Sequence, residues 1–244
     1  KYNSEIGKIT SVQRMMNHKY FCSLLVGKDQ DILFEKYADD FSEHTPQTIM
    51  SITKMFVNLF IGELVEKNII DLNKTVSEYL PNISSGYASA KIQDVLDMNI
   101  QNSYSEDYKD PYTSSYLHEP VCGWRLPENS NYKIIQEEFL NSIVSIKGET
   151  LENKSDLSHY KSANTDVLGV VIEKVSGKKL KDWLLEAVEA AGFEDAMYMG
   201  TDRDSMPWIS GGGCLISRDF LRYGLLFSRN CLLYTSDAAD ECSC

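Results

Sequence analysis

The chain has 244 residues, with 24 Lys and Arg against 36 Asp and Glu, so its formal net charge is −12. Hydrophobic residues make up 43% of it, which excludes a disordered or collagen-like chain and predicts a protein with a buried core. The basic residues are scattered singly, a pattern that argues against a nucleic-acid partner. The most apolar helical stretch, residues 55–65, is about half a membrane span and is interrupted by Asn58 and Glu63. We therefore predict no membrane-spanning segment.

The first elements predicted are two strands joined by a hairpin. Residues 19–26 and 32–37 are rich in β-branched and aromatic side chains, and residues 27–31 between them have the composition of a hairpin turn. A long, largely buried helix is predicted to begin near Ser51, because apolar residues recur at helical spacing from there to Val65.

The middle of the chain is predicted to be mostly helical. A short segment over 76–80 ends at Pro81, a short helix covers 92–98, and further helices are predicted at 133–146, 165–175, 180–191 and 217–227, the last one after a turn of three glycines at 211–213. The stretch 99–127 is predicted to be a loop of about 30 residues, which is longer than compact domains usually tolerate without a functional reason. It contains Tyr104, Tyr108, Tyr112 and Tyr116.

The C-terminal residues are unlike the rest of the chain. Residues 231–241, CLLYTSDAADE, resemble an in-frame translation of a transposase-type sequencing-library adapter. We therefore expect 231–244 to be a non-native tail, with the natural sequence interrupted near Asn230, and exclude it from fold reasoning. Without the tail, the six cysteines reduce to Cys22, Cys122 and Cys214. Their wide spacing is typical of a reduced chain rather than of a disulfide scaffold or a metal site. The four histidines are isolated from one another in sequence, so no metal is expected.

A serine and a lysine three residues apart share one face of a helix, which places an amine beside a hydroxyl. This spacing occurs four times, at Ser51/Lys54, Ser130/Lys133, Ser158/Lys161 and Ser176/Lys179. Only Ser51 opens a buried apolar helix, where the helix dipole favours negative charge at the serine and a desolvated lysine can accept its proton. An N-terminal helical serine can equally be a simple cap, so the spacing alone leaves both interpretations open.

Several ordered motifs together point to a known family. They are TIMSITKM at 48–55, LVEKNIIDL at 64–72, EYLP at 78–81, DVLDM at 94–98, SEDYKDP at 105–111, YKSANTDVLG at 160–169 and GGGCLISRD at 211–219. In this order they resemble the serine β-lactamase and penicillin-binding-protein superfamily. Within it, they are most similar to the branch of nylon-oligomer (6-aminohexanoate dimer) hydrolases and related esterases.

The resemblance implies an α/β (α+β) fold of the β-lactamase/transpeptidase type, in which an antiparallel sheet is flanked by helices. Residues 1–230 would form a partial domain of this kind, with an all-helical subdomain at roughly 70–210. The family's Lys/His-Thr/Ser-Gly strand, which lies downstream of the glycine turn, has no counterpart after Gly213. The sheet is therefore expected to be incomplete, and the 244 residues alone to have little or no turnover.

The resemblance also implies a mechanism. Ser51 would attack a small ester or amide and form an acyl-enzyme, Lys54 and Tyr160 would relay its proton, and the Ser51 N–H would form half of the oxyanion hole. Tyr108 matches a position that faces substrate. Ser162 stands where class C β-lactamases have Asn, which puts β-lactam recognition in doubt more than hydrolysis, and it is assigned to substrate binding. No metal or cofactor is needed for this chemistry.

Two alternatives to an esterase or amidase stay open. One is a penicillin-binding D-Ala-D-Ala carboxypeptidase or class C β-lactamase, and the other is a non-catalytic relative that only binds a peptide or small molecule. Neither the oligomeric state nor the natural substrate follows from the sequence, and localisation is open between the cytoplasm and the cell envelope of a bacterium-like source.

Overall fold

The structure is a computed structural model that describes residues 11–29, 31–126, 134–155 and 158–228. The chain divides into two compact units. The terminal unit takes the described residues of 1–47, 187–197 and 214–244, and the central unit takes those of 48–186 and 198–213. The predicted adapter-derived tail lies outside the described residues. The predicted extent of a helical subdomain, 70–210, stays a prediction.

The terminal unit contains the predicted hairpin. Its elements are α1 (Val12–Met16), β1 (Ser23–Lys28), β2 (Asp31–Tyr37) and α9 (Ser217–Ser228). The strands pair antiparallel, with Ser23 opposite Tyr37, Lys28 opposite Asp31 and a register shift between Val26 and Gly27. The hairpin prediction is confirmed, although β1 begins four residues later than predicted.

Helix α9 lies against β1. A Cβ atom at Gly27 would lie 3.1 Å from a methyl carbon of Leu221, so the missing side chain lets the helix approach the strand. Arg218 on the same helix donates two hydrogen bonds of 2.8 Å to the carboxylate of Glu35 on β2. This bidentate pair joins helix to hairpin.

The central unit is built mainly of helices. A 3-10 helix, Met50–Lys54, leads into α2 (Met55–Glu66), and the helices that follow are α3 (Val76–Tyr79), α4 (Ile92–Leu96), α5 (Ser114–Val121), α6 (Gln136–Asn141), α7 (Ser162–Ser176) and the start of α8 (Leu180–Ala191). The short strands β3 (Gln47–Thr48), β4 (Tyr198–Met199) and β5 (Gly213–Leu215) lie where the chain passes between the units. In the described residues, no helix is long and apolar enough to cross a bilayer.

Helix α7 is the centre of this unit. It packs against α2, α3, α4 and α6, and ten of its residues, from Ser162 to Ile172, are buried. Phe60 on α2 lies 5.3 Å from Trp183 on α8, measured between ring centroids. Helix α7 ends where Gly177 adopts φ 67°, the left-handed conformation that glycine tolerates best.

Three sequence predictions were wrong in detail. The 99–127 stretch is not a continuous loop, because α5 occupies Ser114–Val121 although it contains Pro120. The helix predicted at 133–146 is only the six residues of α6, since residues 134 and 135 are not helical and the chain leaves the helix at Ser142. The helix at Ser51 begins with a 3-10 turn capped by Ile49, so Ser51 lies inside that turn and is not its N-cap.

Candidate active site

Ser51 is presented by a tight turn. Met50, just before it, has φ 45°, a left-handed conformation that is uncommon for a residue with a Cβ atom and marks a locally strained backbone. The buried Thr53 hydroxyl donates to the Met50 carbonyl at 2.6 Å. This bond holds the turn closed and leaves the Ser51 side chain exposed.

The glycine turn braces the Ser51 turn from the other side. The Gly213 N–H donates to the Thr53 hydroxyl at 3.0 Å, and the Gly213 carbonyl accepts from the Ile49 N–H at 2.9 Å. A Cβ atom at position 213 would lie 2.7 Å from the Thr53 hydroxyl oxygen, closer than van der Waals contact allows. The predicted glycine turn therefore requires glycine at position 213, because only a residue without a Cβ atom lets the backbone come this close to the Thr53 hydroxyl.

Lys54 is the hub of the site. Its amine lies 3.1 Å from the Ser51 hydroxyl, 3.1 Å from the Ser162 hydroxyl and 2.5 Å from the Ser210 carbonyl oxygen. The structure thus brings together Ser51 and Lys54, as the spacing predicts. It adds Ser162 from the start of α7 and Ser210 from the approach to the glycine turn.

Tyr160 contacts Lys54 through its ring. The Lys54 amine lies 5.0 Å from the ring centroid, a cation–π distance, and 46% of the tyrosine surface is exposed. Among the described residues, no hydrogen bond joins the Tyr160 hydroxyl to Ser51 or Lys54. Tyr160 therefore lies beside the predicted proton relay of Ser51 and Lys54, but its hydroxyl is not hydrogen-bonded to either residue.

A carboxylate, Glu106, lies on the far side of Ser162. It accepts from the Ser162 hydroxyl at 2.9 Å and from the Ser162 N–H at 2.6 Å. It also accepts from the Tyr108 hydroxyl. Burial, together with this bond to an acidic partner, raises the pKa of Tyr108.

Tyr108 and Ser162 thus lie in one chain of hydrogen bonds that runs through Glu106 to Lys54. Tyr108 is 58% exposed, so its ring is available to a bound molecule. Ser162 is buried, and its hydroxyl is already bonded on two sides. The assignment of both residues to substrate binding stays a prediction, and Ser162 is placed to orient the lysine.

The segment that carries Glu106 is held by a hydrogen bond from a buried lysine. Lys161 is buried, and its amine donates to the Tyr104 carbonyl. Burial lowers the pKa of Lys161, while the Glu106 charge acts in the opposite direction. The lysine next to Tyr160 is thereby engaged with the backbone two residues before Glu106.

A second polar cluster lies under the site, fully inside the central unit. Asp166 on α7 accepts from the Ser210 hydroxyl at 2.6 Å and from the Ser210 N–H at 3.1 Å. Nε2 of His118 lies 3.5 Å from the Asp166 carboxylate. Burial raises the pKa of Asp166 to about 7 and lowers the pKa of His118 to about 3.

Beside Ser51 and Lys54 there is a cavity of about 330 Å³. Its other walls include Ile52, Asn58 and Met98. The cavity walls as a whole are mostly apolar, as is usual for a pocket that binds a small molecule.

The other Ser–Lys pairs have ordinary partners. Lys179 pairs with Glu173 at 3.2 Å, and Ser176 donates to the Ile172 carbonyl. The Lys161 amine donates to the Tyr104 carbonyl, as described above. The pair Ser130/Lys133 lies outside the described residues. Within the part of the chain that the structure describes, no group of His, Cys, Asp and Glu could hold a metal ion.

Comparison with known proteins assigns the family. Residues 19–207 match the family model described as Beta-lactamase. The chain belongs to the beta-lactamase family. It is 30% identical over 207 residues to the 6-aminohexanoate-dimer hydrolase of Paenarthrobacter ureafaciens, a match that covers 83% of this chain and 50% of that protein.

Solved structures show the same fold. A Bacillus anthracis protein named for the same dimer-hydrolase activity superposes with a TM-score of 0.77 at 23% identity, covering 93% of this chain and 59% of the other. A penicillin-binding protein from Bacillus halodurans gives 0.64 at 18% identity, covering 94% and 77%. The predicted fold class and the resemblance to this beta-lactamase family are confirmed, and the chain spans about half the length of its curated relative.

Sequence reasoning missed four side chains that the structure places around Lys54 and Ser162: Glu106, His118, Asp166 and Ser210. One available signal was Asp166, a carboxylate four residues after Ser162 in the buried part of α7. Glu106 stood inside the quoted SEDYKDP motif without a role. Ser210 and His118 carried no local signal, because only the fold brings them to Asp166.

Proposed function

We propose that this chain carries the nucleophile and proton-transfer groups of a serine hydrolase that cleaves small esters or amides through an acyl-enzyme on Ser51. The observation that carries the proposal is the 3.1 Å contact between the Lys54 amine and the Ser51 hydroxyl. That distance is within reach for direct proton transfer.

The partners of Lys54 fit a base. A neutral amine has two N–H donors and one lone pair. The Ser210 carbonyl and the Ser162 hydroxyl can take the two donors, because the Ser162 hydroxyl in turn donates to Glu106. The lone pair is then left for the Ser51 proton, and this arrangement activates one serine specifically.

The proposed reaction has two halves. The Ser51 O–H bond breaks, its proton passes to Lys54 with Tyr160 assisting, and the Ser51 oxygen bonds to the substrate carbonyl carbon. The C–O or C–N bond of the substrate then breaks, and the departing alcohol or amine takes the proton. A water molecule next attacks the acyl-enzyme by the same relay, which releases the acid and restores the Ser51 hydroxyl.

The substrate class follows from two supports. The curated relative is named as a hydrolase of 6-aminohexanoate dimer, which is a small linear amide, and the cavity beside Ser51 has mostly apolar walls. We therefore propose small, linear amides or esters as substrates. Tyr108, whose ring is exposed, is proposed to contact them.

Covalent labelling tests the proposal. A fluorophosphonate reacts only with an activated serine, so intact mass followed by peptide mapping should find one label, on Ser51. Ser51→Ala should abolish the label, whereas Ser176→Ala, which removes the serine of another Ser–Lys pair, should retain it. A folded chain that takes no label would contradict the hydrolase and favour a relative that only binds its ligand.

A fluorescent penicillin separates the remaining alternative. A penicillin-binding carboxypeptidase or a class C β-lactamase would be acylated by it on Ser51. We expect little or no stable penicillin label, because Ser162 offers a hydroxyl already bonded to Glu106 and Lys54 where those enzymes use an amide side chain. Strong labelling by penicillin would replace the proposed substrate class.

A further inference from the structure

A buried carboxylate and a buried imidazole lie under the site and have no part in the proposed reaction. Asp166 is 0% exposed and His118 is 2% exposed. Burying an ionisable group costs free energy unless hydrogen bonds or opposite charge compensate for it. The contacts of Asp166 therefore indicate what the carboxylate holds in place.

Asp166 is bound to a single residue by both of its oxygens. One oxygen accepts the Ser210 N–H at 3.1 Å and the other accepts the Ser210 hydroxyl at 2.6 Å. With its N–H and its side chain both fixed, Ser210 has little freedom to rotate. Its carbonyl, the remaining polar group, is aimed at the Lys54 amine at 2.5 Å.

His118 completes the cluster from helix α5. Its Nδ1 lies 3.3 Å from the Tyr104 hydroxyl, and its ring stacks on Phe139 with 4.5 Å between centroids. If the Tyr104 hydroxyl donates to Nδ1, the proton of the neutral ring sits on Nε2, the nitrogen 3.5 Å from Asp166. The neutral ring thus lies beside the carboxylate without adding a second charge, and its buried Nε2 has no hydrogen-bond partner among the described residues.

We propose that Asp166 is a positioning residue for Lys54. It fixes Ser210, and through the Ser210 carbonyl it sets the place of the Lys54 amine. The catalytic meaning of this role rests on the proposed function, but the effect on Lys54 does not.

Among the charged groups that act on Asp166, Lys54 is the cation. The titratable groups near the carboxylate are Lys54, Glu106, Tyr87, Tyr104, His118 and Cys122. Glu106 is the one other carboxylate in that set, and it raises the pKa of Asp166, whereas Lys54 lowers it.

Asp202 provides a matched control. It is also a buried aspartate of the central unit, and it accepts from the backbone N–H groups of Gln136, Asp204 and Met206. These bonds hold a turn and do not reach Lys54. Asp202→Asn therefore reports the effect of losing a buried, structural carboxylate.

The test compares Asp166→Asn and Asp202→Asn in the full chain with two readouts. The first is the rate at which acetic anhydride acetylates Lys54 relative to the exposed Lys179, measured by peptide mass spectrometry from pH 6 to pH 10. The second is the rate at which a fluorophosphonate labels Ser51 over the same pH range. Circular dichroism confirms that each variant is folded.

We expect Asp166→Asn to raise the relative acetylation of Lys54 about fivefold, because the amine loses its fixed acceptor, and to lower Ser51 labelling about tenfold, because the amine is no longer held at the Ser51 hydroxyl. Asp202→Asn should leave both profiles unchanged. Unchanged profiles in folded Asp166→Asn would overturn the proposal. If Ser51 of the parent chain takes no label while Lys54 still responds to Asp166→Asn, the positioning role stands and the proposed hydrolase fails.

If Asp166→Asn does not fold, Ser210→Ala decides. That variant keeps the backbone N–H and carbonyl and removes the shorter of the two bonds to Asp166. We expect about a threefold rise in Lys54 acetylation. If Lys54 acetylation does not change in a folded Ser210→Ala chain, the proposal that Asp166 positions Lys54 through Ser210 is wrong.

Discussion

The Gly213 N–H donates a hydrogen bond of 3.0 Å to the Thr53 hydroxyl, which itself donates to the Met50 carbonyl at 2.6 Å. Through this one hydroxyl, the glycine turn near the end of the central unit supports the strained turn that presents Ser51. The turn that exposes Ser51 thus depends on a buried threonine two residues away.

Replacing the Thr53 hydroxyl tests this support. Thr53→Val keeps the shape but leaves the Gly213 N–H and the Met50 carbonyl without their partner, so we expect the free energy of unfolding to fall by about 1–3 kcal/mol. Thr53→Ser, which keeps the hydroxyl, should lose less. Urea titration followed by circular dichroism measures both, and a larger loss in Thr53→Ser than in Thr53→Val would mean that the methyl group rather than the hydroxyl is what matters.

Gly213→Ala tests the close approach of the two turns. The added Cβ atom would lie 2.7 Å from the Thr53 hydroxyl oxygen, so we expect a loss of about 1–3 kcal/mol and slower labelling of Ser51. Gly62→Ala is the control, because a Cβ atom there would meet nothing within 4 Å and the position lies in helix α2. It should stabilise the chain by up to about 1 kcal/mol. Similar results from both alanines would contradict the steric argument.

Lys54 is expected to be indispensable for the reactivity of Ser51. Lys54→Met removes the base, and Lys54→Arg replaces it with a group that stays protonated, so both should reduce the rate of fluorophosphonate labelling by about 100-fold or more. Lys179→Met, at a lysine paired with Glu173, should label at the parent rate. Labelling of Lys54→Met within a few-fold of the parent rate would show that Ser51 is activated by another group.

His118 should make stability depend on pH in a defined window. Burial lowers its pKa from 6.5 to about 3, so below pH 6.5 the unfolded chain binds a proton that the folded chain does not. The stabilisation is present above pH 6.5 and is lost as the pH falls from there towards 3, with a slope of up to about 1.4 kcal/mol per pH unit. Asp166, whose pKa burial raises from 3.8 to about 7, contributes a slope of the opposite sign in much of this window. The His118 effect is therefore the difference between the parent and His118→Gln in urea titrations, and a difference that does not change between pH 6.5 and pH 4 would contradict the assignment.

The ion pair between Arg218 and Glu35 in the terminal unit predicts a second pH dependence of stability. It comes from an acidic residue and lies at lower pH than the one from His118. The bond from Arg218 lowers the pKa of Glu35, so its contribution is present at neutral pH and is lost as the pH falls through the lowered value. Glu35→Gln should cost about 1 kcal/mol at pH 7 and become neutral in strong acid. Arg218→Lys, which cannot make the paired bonds, should show a similar loss.

Much of this molecule follows from local sequence. The β-branched hairpin, the apolar period after Ser51 and the glycine turn each specify their own structure, because strand, helix and turn preferences act over a few residues. The ordered motifs likewise indicated the family and therefore Ser51, Lys54 and Tyr160. Helix α5 was missed because polar residues and Pro120 mask its period, and contacts of Ser115, His118 and Val121 with the core outweigh that weak propensity.

The sequence by itself determined which residue types the site has, and the tertiary structure decided which of them act together. Four Ser–Lys pairs have the same spacing, and only the packing of α7 and the glycine turn gives one of them Ser162 and the Ser210 carbonyl as neighbours. Glu106, Asp166 and His118 come from separate segments, and burial fixes their charges and bonds. Hydrogen bonds of about 3 Å depend on where the backbone is held, and that is a property of the folded chain.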